Sequence, residues 1–320
     1  MIETIRNDYT TYKVIEWLKY YNVDYYTITP HDIINISINV HCNSVFLSIN
    51  HKTLCLDDIT GYWFRRGLFS VKMDKKCPYY KPDKEFVISS YHYSSLEKNT
   101  ILQYLHYLLS EKKSLNSFLF SNVNKLIVLY EAKKHGLNVP KHLLTDSKKE
   151  LELFYKDCNG NIISKVCSPS GGFETKNYAI YAYTELIDKK FINNMNNSFF
   201  TSYFQANINK RFEIRTFLLN SKFYSMAIFS QESKKTSIDF RKYSKEMPNR
   251  YIPFILPDTI EKKLLSLCTF LNLNSGSIDL IYSTDHEYYF LEINPVGQFG
   301  MLSTPCNYHL EREVARFFKT

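Results

Sequence analysis

Apolar residues recur at the spacing of amphipathic helices in several stretches of this chain. The first helical face carries Val14, Ile15, Trp17, Leu18 and Tyr21. A longer helix is predicted over 94–112, where the apolar stripe consists of Leu96, Ile101, Leu105 and Leu108. A third helix starts at a Ser121 or Asn122 cap and ends at His135-Gly136, and its face carries Val123, Leu126, Ile127 and Tyr130.

Runs of β-branched and aromatic residues predict strands between the helices, at 24–29, 44–50, 59–66 and 161–167. Two longer pairs of runs predict hairpins, which turn at Asn220-Ser221 and at Thr284-Asp285-His286. Polar segments predict loops at 70–84 and 232–258, and further helices are predicted over 258–271 and 307–318. This order predicts an α/β chain with α+β lobes, in domains at 1–116, 117–200 and 201–320.

The 320 residues carry a formal net charge of +8. The positive charge is spread over lysine pairs such as Lys75-Lys76 and Lys262-Lys263, without the dense block typical of nucleic-acid binding. The pattern favours a solvated basic surface, and an acidic ligand such as ATP or a carboxylate-rich peptide is the alternative.

Seven cysteines without a CxxC pair indicate reduced thiols. The chain starts without a basic-then-apolar signal segment, and no apolar run approaches membrane-spanning length. We therefore expect a cytoplasmic protein with no membrane or nucleic-acid partner.

The second predicted hairpin carries a candidate metal site. Glu292 and Asn294 are two residues apart and so share one strand face, with Leu291 and Ile293 on the other, and Asp279 lies on the neighbouring strand. Two carboxylates and an amide form an oxygen-only set, which suits magnesium. The alternative is a surface strand with ordinary polar residues.

Four cations are candidate ligands for phosphate or carboxylate. Lys165 ends a predicted strand before the turn SPSGG, whose Gly171 and Gly172 could fold over phosphates, and Lys125 lies in the first turn of its helix. Arg215 and Arg241 offer guanidinium groups, which bind carboxylate or phosphate through two parallel hydrogen bonds. The alternatives are a solvated charge at a strand edge for Lys165 and a surface ion pair for Arg241.

Taken in order, five segments resemble the ATP-grasp superfamily across residues 117–305: NKLIVLYEAKKHGLNVP, IISKVCSPSGG, SYFQANINKRFEIRTFLLNSKFYSMAIFSQ, GSIDLIYS and YYFLEINPVGQFGM. Within it the chain is most similar to the graspetide synthetases, the ligases that mature ribosomally made precursor peptides. YWFRRG at 62–67 and EINPVGQFGM at 292–301 resemble the branch called grasp-with-SPASM maturases.

The resemblance implies an ATP-grasp fold preceded by an N-terminal pre-ATP-grasp α/β domain, with ATP between the two lobes. Lys125 and Lys165 match the lysines that contact phosphates and adenine, and Arg215 matches the arginine near the γ-phosphate and the acyl-phosphate. Arg241 is the second catalytic candidate. The magnesium ligands correspond to Asp279, Glu292 and Asn294, with Glu292 bridging two ions.

The resemblance also implies that the backbone of one hinge reads the adenine edge, through Gln205, Ala206, Asn207 and Ile208. Many relatives carry a glutamate where this chain has Ala206, which leaves the ribose contact open, and Asn209 is a candidate for it. Arg65 and Arg66 are the substrate candidates, one to hold the acidic peptide and the other to serve structure.

The implied function is ligation of Asp or Glu side chains of a precursor peptide, with its leader and core, to Ser, Thr or Lys side chains. The alternatives are a ligase that adds a free amino acid to a carboxylate, a phosphotransferase that stops at phosphorylation, and a nucleotide-binding scaffold without turnover. The complete set of metal ligands argues against the scaffold. A homo-oligomer is left open.

Overall fold

A computed structural model of the protein describes residues 1–39, 44–49, 52–71, 84–168, 172–181, 183–230 and 249–319. The chain forms two compact units, one of Met1–Ser121 with His309–Thr320 and the other of Asn122–Tyr308. Residues 72–83 of the predicted loop at 70–84 and residues 232–248 of the predicted loop at 232–258 lie outside the described residues.

Up to residue 121, the first unit alternates short strands with two helices. Its elements are β1 (Ile2–Glu3), α1 (Tyr9–Tyr20), β2 (Thr27–Ile28), β3 (Ile33–Asn39), β4 (Ser44–Ile49), β5 (Lys52–Cys55), β6 (Gly61–Phe64), β7 (Ser70–Val71), α2 (Lys84–Ser110) and β8 (Lys113–Leu115). Short 3₁₀ turns occupy Leu56–Asp58 and Phe118–Phe120. Parallel pairing orders one sheet β2-β1-β6-β8, and a second sheet runs β5-β4-β3-β7.

Both predicted helices of this unit form. Asp8 caps α1 by accepting a hydrogen bond from the Thr10 N–H at 3.2 Å, and the predicted apolar face buries Val14, Ile15 and Leu18. Helix α2 extends over 27 residues and begins ten residues before the predicted start. Its buried residues lie near its C-terminal end, which is where the apolar stripe could be recognised: Leu102, Leu105, His106 and Leu109.

The second unit contains the predicted hairpins and the sheet that carries them. Its elements are α3 (Lys125–Lys134), β9 (His142–Ser147), α4 (Lys148–Asp157), β10 (Ile162–Ser164), β11 (Gly172–Glu174), β12 (Ala179–Tyr181), β13 (Glu185–Ile187), α5 (Lys189–Asn194), β14 (Ser198–Ala206), β15 (Lys210–Leu219), β16 (Lys222–Phe229), β17 (Arg250–Phe254), α6 (Asp258–Phe270), β18 (Ser275–Ser283), β19 (Tyr288–Asn294) and α7 (Gly300–Ser303).

Antiparallel pairing orders these strands as sheets β13-β10-β14-β9, β11-β12 and β17-β16-β15-β18-β19. The largest sheet buries one face against α3 and α6, in a core that includes Val128, Leu129, Ile214, Leu218, Leu264, Leu267, Ile278, Leu280, Phe290 and Ile293. A second core packs α4 and α5 on β10 and β14, through Leu151, Ile162, Ile187, Ile192 and Phe204.

Both predicted hairpins are confirmed. Asn220 and Ser221 have φ of 46° and 70°, the left-handed values that a two-residue type I′ turn requires. His286 has φ of 64° in the second turn. Residues 250–254, predicted as loop, instead form the edge strand β17 beside β16.

The cap of α3 corrects one prediction. Asn124, rather than Ser121 or Asn122, accepts hydrogen bonds from the N–H groups of Leu126 and Ile127, at 2.9 and 3.2 Å. Ser and Asn are both good caps, so the sequence could not select one of the three positions, and Ser121 instead ends the preceding 3₁₀ turn.

The last helix, α8 (Leu310–Phe318), belongs to the first unit, although the sequence assigned it to the third predicted domain. It packs against α1, and the Arg316 Nε donates to the Tyr21 hydroxyl at 3.1 Å. The boundary predicted at residue 200 falls inside the second unit and stays a prediction.

Candidate active site

Three predicted site residues form a row across three neighbouring strands. Arg215 on β15 is directly opposite Asp279 on β18, and Asp279 is directly opposite Glu292 on β19. Directly opposed residues of antiparallel strands project from the same face of the sheet. The Arg215 Nη1 donates to both oxygens of Asp279, at 2.7 and 2.6 Å.

A bulge shapes the β19 end of this row. Leu280 pairs with Phe290, whereas Asp279 pairs with Glu292, so Leu291 is the extra residue. Phe290 and Ile293 therefore both point into the core although they are three residues apart. The prediction that Glu292 and Asn294 share a face holds, because the bulge lies before them and the alternation resumes at Glu292.

Lys125 brings a second cation to the row. As the first residue of α3, it places its Nζ 2.7 Å from the Glu292 Oε2, and the Asn294 Nδ2 lies 3.5 Å from the Glu292 Oε1. Burial by itself would raise the pKa of Glu292, but Lys125, Lys165 and the Asn294 amide outweigh it and lower that pKa to about 2. Glu292 is therefore a carboxylate at any pH near neutrality.

Lys165 lies one residue beyond the end of β10, rather than within the predicted strand. Its Nζ is 5.7 Å from the ring centroid of Tyr203 and contributes to the low pKa of Glu292. Cys167 lies close enough for Lys125 and Lys165 to favour its thiolate, although burial dominates and raises the pKa of that thiol. The structure thus brings both predicted phosphate-binding lysines together beside Glu292.

The predicted adenine hinge joins β14 to β15. The Ala206 N–H donates to the Lys141 carbonyl at 2.8 Å, and the Asn207 N–H donates to the Asn161 carbonyl at 3.0 Å. The Asn209 carbonyl accepts from the Thr284 N–H at 2.8 Å, and the buried Gln205 accepts from the Tyr203 hydroxyl at 3.1 Å. Within the described part of the chain, neither peptide group of Ile208 forms a hydrogen bond.

The loop after β19 approaches the site sheet closely. A Cβ on Gly297 would lie 2.3 Å from the Ser277 Cβ, a distance that no side chain tolerates. Ser277 is directly opposite Asn294, and its Oγ donates to the Gln298 carbonyl at 3.0 Å. The glycine therefore lets this loop pack on the strand beside the predicted metal ligands.

The remaining predicted site residues lie elsewhere. Gly171 and Arg241 are outside the described residues, and Gly172 is exposed at the start of β11. In the first unit Arg65 is 2 % exposed, and its Nε lies 3.0 Å from the Asp8 Oδ2. Arg66 is partly exposed. This placement suits the structural role for Arg65 and leaves Arg66 as the substrate candidate.

Two features near the site were missed. Asn161 forms a hydrogen-bonded pair with Asn207, but its sequence context, a Cys158–Asn161 turn rich in Asn and Gly, signals only a turn. Lys210 and Glu213 form a largely buried ion pair on the strand of Arg215. Their spacing of three residues on a strand gives no sign of this contact, since residues three apart project to opposite faces.

The donor set fits magnesium on its chemistry. Asp279, Glu292 and Asn294 offer only oxygen ligands, and magnesium completes a shell of few protein ligands with water and phosphate oxygens. Among the described residues, no cluster of three or more His, Cys, Asp or Glu could hold a metal ion without such an amide. No described helix is long and apolar enough to span a bilayer.

Solved structures match nearly the whole chain. Macrocyclase MdnC from Microcystis aeruginosa MRC, bound with precursor peptide MdnA, has a TM-score of 0.77 and 23 % identity over 98 % of this chain and 97 % of its own. A RiPP-associated ATP-grasp ligase of Chryseobacterium gregarium, in complex with ADP and a leader and core peptide, has a TM-score of 0.81 and 22 % identity, over 99 % and 94 %.

The ATP-grasp ligase PsnB, complexed with a phosphomimetic variant of its minimal precursor, Mg and ADP, has a TM-score of 0.71 and 16 % identity, over 99 % and 96 %. No protein-family model matches the chain, and no curated protein matches it in sequence. At these identities the likeness establishes architecture and not activity. The fold expected from the resemblance in sequence is confirmed: this chain has the ATP-grasp fold.

Proposed function

We propose that this protein is an ATP-dependent ligase that joins Asp or Glu side chains of a ribosomally made precursor peptide to its Ser, Thr or Lys side chains. The observation that carries the proposal is the row of Arg215, Asp279 and Glu292 on the sheet of an ATP-grasp fold. Of the matching structures named above, two are complexes with a precursor peptide or its variant and one is a complex with a leader and core peptide, and two of the three contain ADP.

The chemistry follows from the poor reactivity of a carboxylate, whose oxygen is a poor leaving group. One carboxylate oxygen forms a bond to the γ-phosphorus of ATP, and the bond from that phosphorus to the β–γ bridging oxygen breaks to release ADP. A hydroxyl or amine of the peptide then attacks the carbonyl carbon. The bond from this carbon to the phosphate oxygen breaks, phosphate leaves, and the nucleophile gives up its proton.

The cations of the site bind and stabilise the negatively charged groups in these steps. Lys125 and Lys165 hold ATP phosphates, and Arg215 stabilises the negative charge that develops as phosphate departs. Lys125 and Arg215 contact Glu292 and Asp279 in the structure, so they exchange these carboxylates for phosphates as the nucleotide binds. Arg241 is proposed as a second guanidinium beside the acyl-phosphate.

Asp279, Glu292 and Asn294 would hold magnesium, with Glu292 between two ions. Bound there, magnesium neutralises phosphate charge and makes phosphoryl transfer easier. The protein keeps Glu292 ionised at neutral pH, since Lys125 and Lys165 lower its pKa to about 2 against the opposing effect of burial. This carboxylate needs no proton loss before it binds a cation.

The hinge at Gln205, Ala206, Asn207 and Ile208 is proposed to read the adenine edge, and Ile208 is the residue whose N–H group is best suited to it. Asn209 is proposed to contact the ribose. Ala206 and Asn207 already donate their N–H groups to the carbonyl groups of Lys141 and Asn161.

In the first unit, Arg66 is proposed to bind an acidic side chain of the peptide. The assignment to the grasp-with-SPASM branch rests on YWFRRG and EINPVGQFGM.

The test is mass spectrometry of a candidate precursor peptide after incubation with the protein and Mg-ATP, with Glu292→Gln as the control variant. Each bond formed should lower the peptide mass by one water, and the control should leave the mass unchanged. Mild base separates the linkages, because an ester hydrolyses and an amide survives.

Other products would point to other functions of the same fold. A gain of one amino-acid residue would replace this proposal with the ligase that adds a free amino acid. A stable gain of phosphate alone would indicate a phosphotransferase. An unchanged peptide, with no ADP formed, would contradict ligase activity on that precursor.

A further inference from the structure

Asn161, the residue before β10, is tied to Asn207 of the hinge by three hydrogen bonds. The Asn207 N–H donates to the Asn161 carbonyl at 3.0 Å. The Asn161 Nδ2 donates to the Asn207 carbonyl at 3.1 Å, and the Asn207 Nδ2 donates to the Asn161 Oδ1 at 3.0 Å. A single residue therefore engages both peptide groups and the side chain of Asn207.

These bonds fix the direction of two neighbouring peptide planes. In a trans peptide unit the carbonyl and the following N–H point in opposite directions. Because the Asn207 N–H points to Asn161, the Ala206 carbonyl of the same unit points away from it. Because the Asn207 carbonyl also points to Asn161, the Ile208 N–H points away as well.

One acceptor and one donor, two residues apart, are thus presented on the side of the hinge opposite Asn161. Adenine carries an exocyclic amine that donates and an adjacent ring nitrogen that accepts, which is the complementary pair. The Ala206 N–H is held by the Lys141 carbonyl at 2.8 Å, so the segment before this pair is fixed too. Groups oriented before the ligand arrives bind it with a smaller entropic cost.

We infer that Asn161 is a positioning residue, which orients the Ala206 carbonyl and the Ile208 N–H for the adenine base. This inference rests on the proposed ATP site and adds a residue to it. Asn161 acts mainly through Asn207, and its Nδ2 also donates to the Oδ1 of Asn209, the ribose candidate, at 3.4 Å. Its loss should weaken recognition of the base and spare recognition of the phosphates.

The test measures by calorimetry the affinities of ADP and of inorganic tripolyphosphate, both with magnesium, for the full chain. In Asn161→Ala the amide donor to the Asn207 carbonyl is lost. A lost hydrogen bond of about 1.4 kcal/mol corresponds to about tenfold in affinity. We expect the dissociation constant of ADP to rise about tenfold, with that of tripolyphosphate changed by less than about twofold.

Asn161→Asp is the second variant, since it keeps the size and the accepting oxygen but loses the donor. Its ADP affinity should fall about tenfold more than its tripolyphosphate affinity. Lys141→Ala is the matched control: it removes an exposed ion pair with Asp157 next to the hinge and should affect both ligands equally.

Two results would overturn the inference. If the Asn161 variants lose affinity for ADP and for tripolyphosphate equally, the residue serves only the fold. If their affinity for ADP is unchanged, Asn161 has no role in base recognition. Both results leave the proposed function intact as long as the unmodified protein binds ADP. Failure of the unmodified protein to bind ADP or ATP would instead overturn the proposed function, and the role of Asn161 with it.

Discussion

Arg215 and Asp279 are directly opposite one another on β15 and β18, and one guanidinium nitrogen of Arg215 lies within 2.7 Å of both carboxylate oxygens. Both side chains are mostly buried, at 11 % and 15 % exposed. A charge left without its partner in such a place is costly, because burial removes the water that would solvate it. The pair is therefore a structural element of the sheet as well as a proposed part of the site.

The first prediction concerns this pair. Arg215→Met should lower the free energy of unfolding, since it leaves the Asp279 carboxylate without that partner. Adding Asp279→Asn in the same chain should recover part of the loss, with a coupling energy of about 0.5–3 kcal/mol. Urea unfolding of the two single variants and the double variant measures this energy. Additive losses would mean that the two residues contribute independently.

Much of the site could be predicted from the sequence because it lies on two regular hairpins. The spacing of two residues put Glu292 and Asn294 on one strand face, and the predicted turn at 284–286 placed Asp279 on the neighbouring strand. The bulge at Leu291 was not predictable, because an extra residue leaves no mark on such a short run. The face shared by Glu292 and Asn294 lies beyond the bulge and was unaffected.

Contacts between distant segments were the part that the sequence could not supply. Lys125 was identified only as a candidate cation, and its partner Glu292 lies 167 positions away. The packing of α8 on α1 joins the two ends of the chain, and local periodicity carries no information about such pairing. Asn161 was missed for the same reason, since its role depends on a strand that starts more than thirty residues later.

The second prediction concerns phosphate binding. Lys165→Ala should weaken ATP binding while leaving the unfolding midpoint nearly unchanged, because the lysine lies one residue beyond the end of β10 and is only partly buried. Calorimetric titration with ATP and magnesium measures the affinity. Lys262→Ala, at an unrelated site on α6, is the matched charge control. Equal ATP affinity in the two variants would show that Lys165 is an ordinary solvated charge with no role in phosphate binding.

The third prediction separates the two arginines of the first unit. Arg65→Ala should destabilise that unit strongly, because it leaves Asp8 buried without the guanidinium that lies 3.0 Å away. Arg66→Ala should leave the unfolding midpoint unchanged and slow conversion of the precursor peptide. Thermal unfolding and the rate of water loss from the peptide measure the two effects. An Arg66→Ala variant that processes the peptide at the unmodified rate would remove the proposed substrate contact.

The fourth prediction is a pH dependence of stability. Burial raises the pKa of Glu3 to about 8, against the opposing effect of hydrogen bonds from the Tyr62 hydroxyl and the Phe69 N–H. The folded state therefore holds a proton that the unfolded state releases near pH 4.5, so this group costs stability progressively between about pH 4.5 and 8.

Glu3→Gln removes this titration, so the difference in unfolding free energy between the unmodified protein and the variant should fall as pH rises through that range. The comparison with the variant cancels the opposite contributions of His106 and the Met1 amino group, whose pKa values are lowered by burial to about 4 and about 6. A difference that is constant from pH 4.5 to 8 would show that Glu3 is ionised in the folded protein.

The central claim is that ATP activates a side-chain carboxylate of the peptide, and isotope transfer tests it most directly. A precursor peptide labelled with ¹⁸O in its Asp and Glu carboxylates is incubated with the protein and Mg-ATP, and the released phosphate is analysed by mass spectrometry. The carboxylate oxygen that bonds to phosphorus leaves with the phosphate, so each bond formed should deliver one labelled oxygen atom. Unlabelled phosphate, released while the peptide loses water, would contradict activation through an acyl-phosphate.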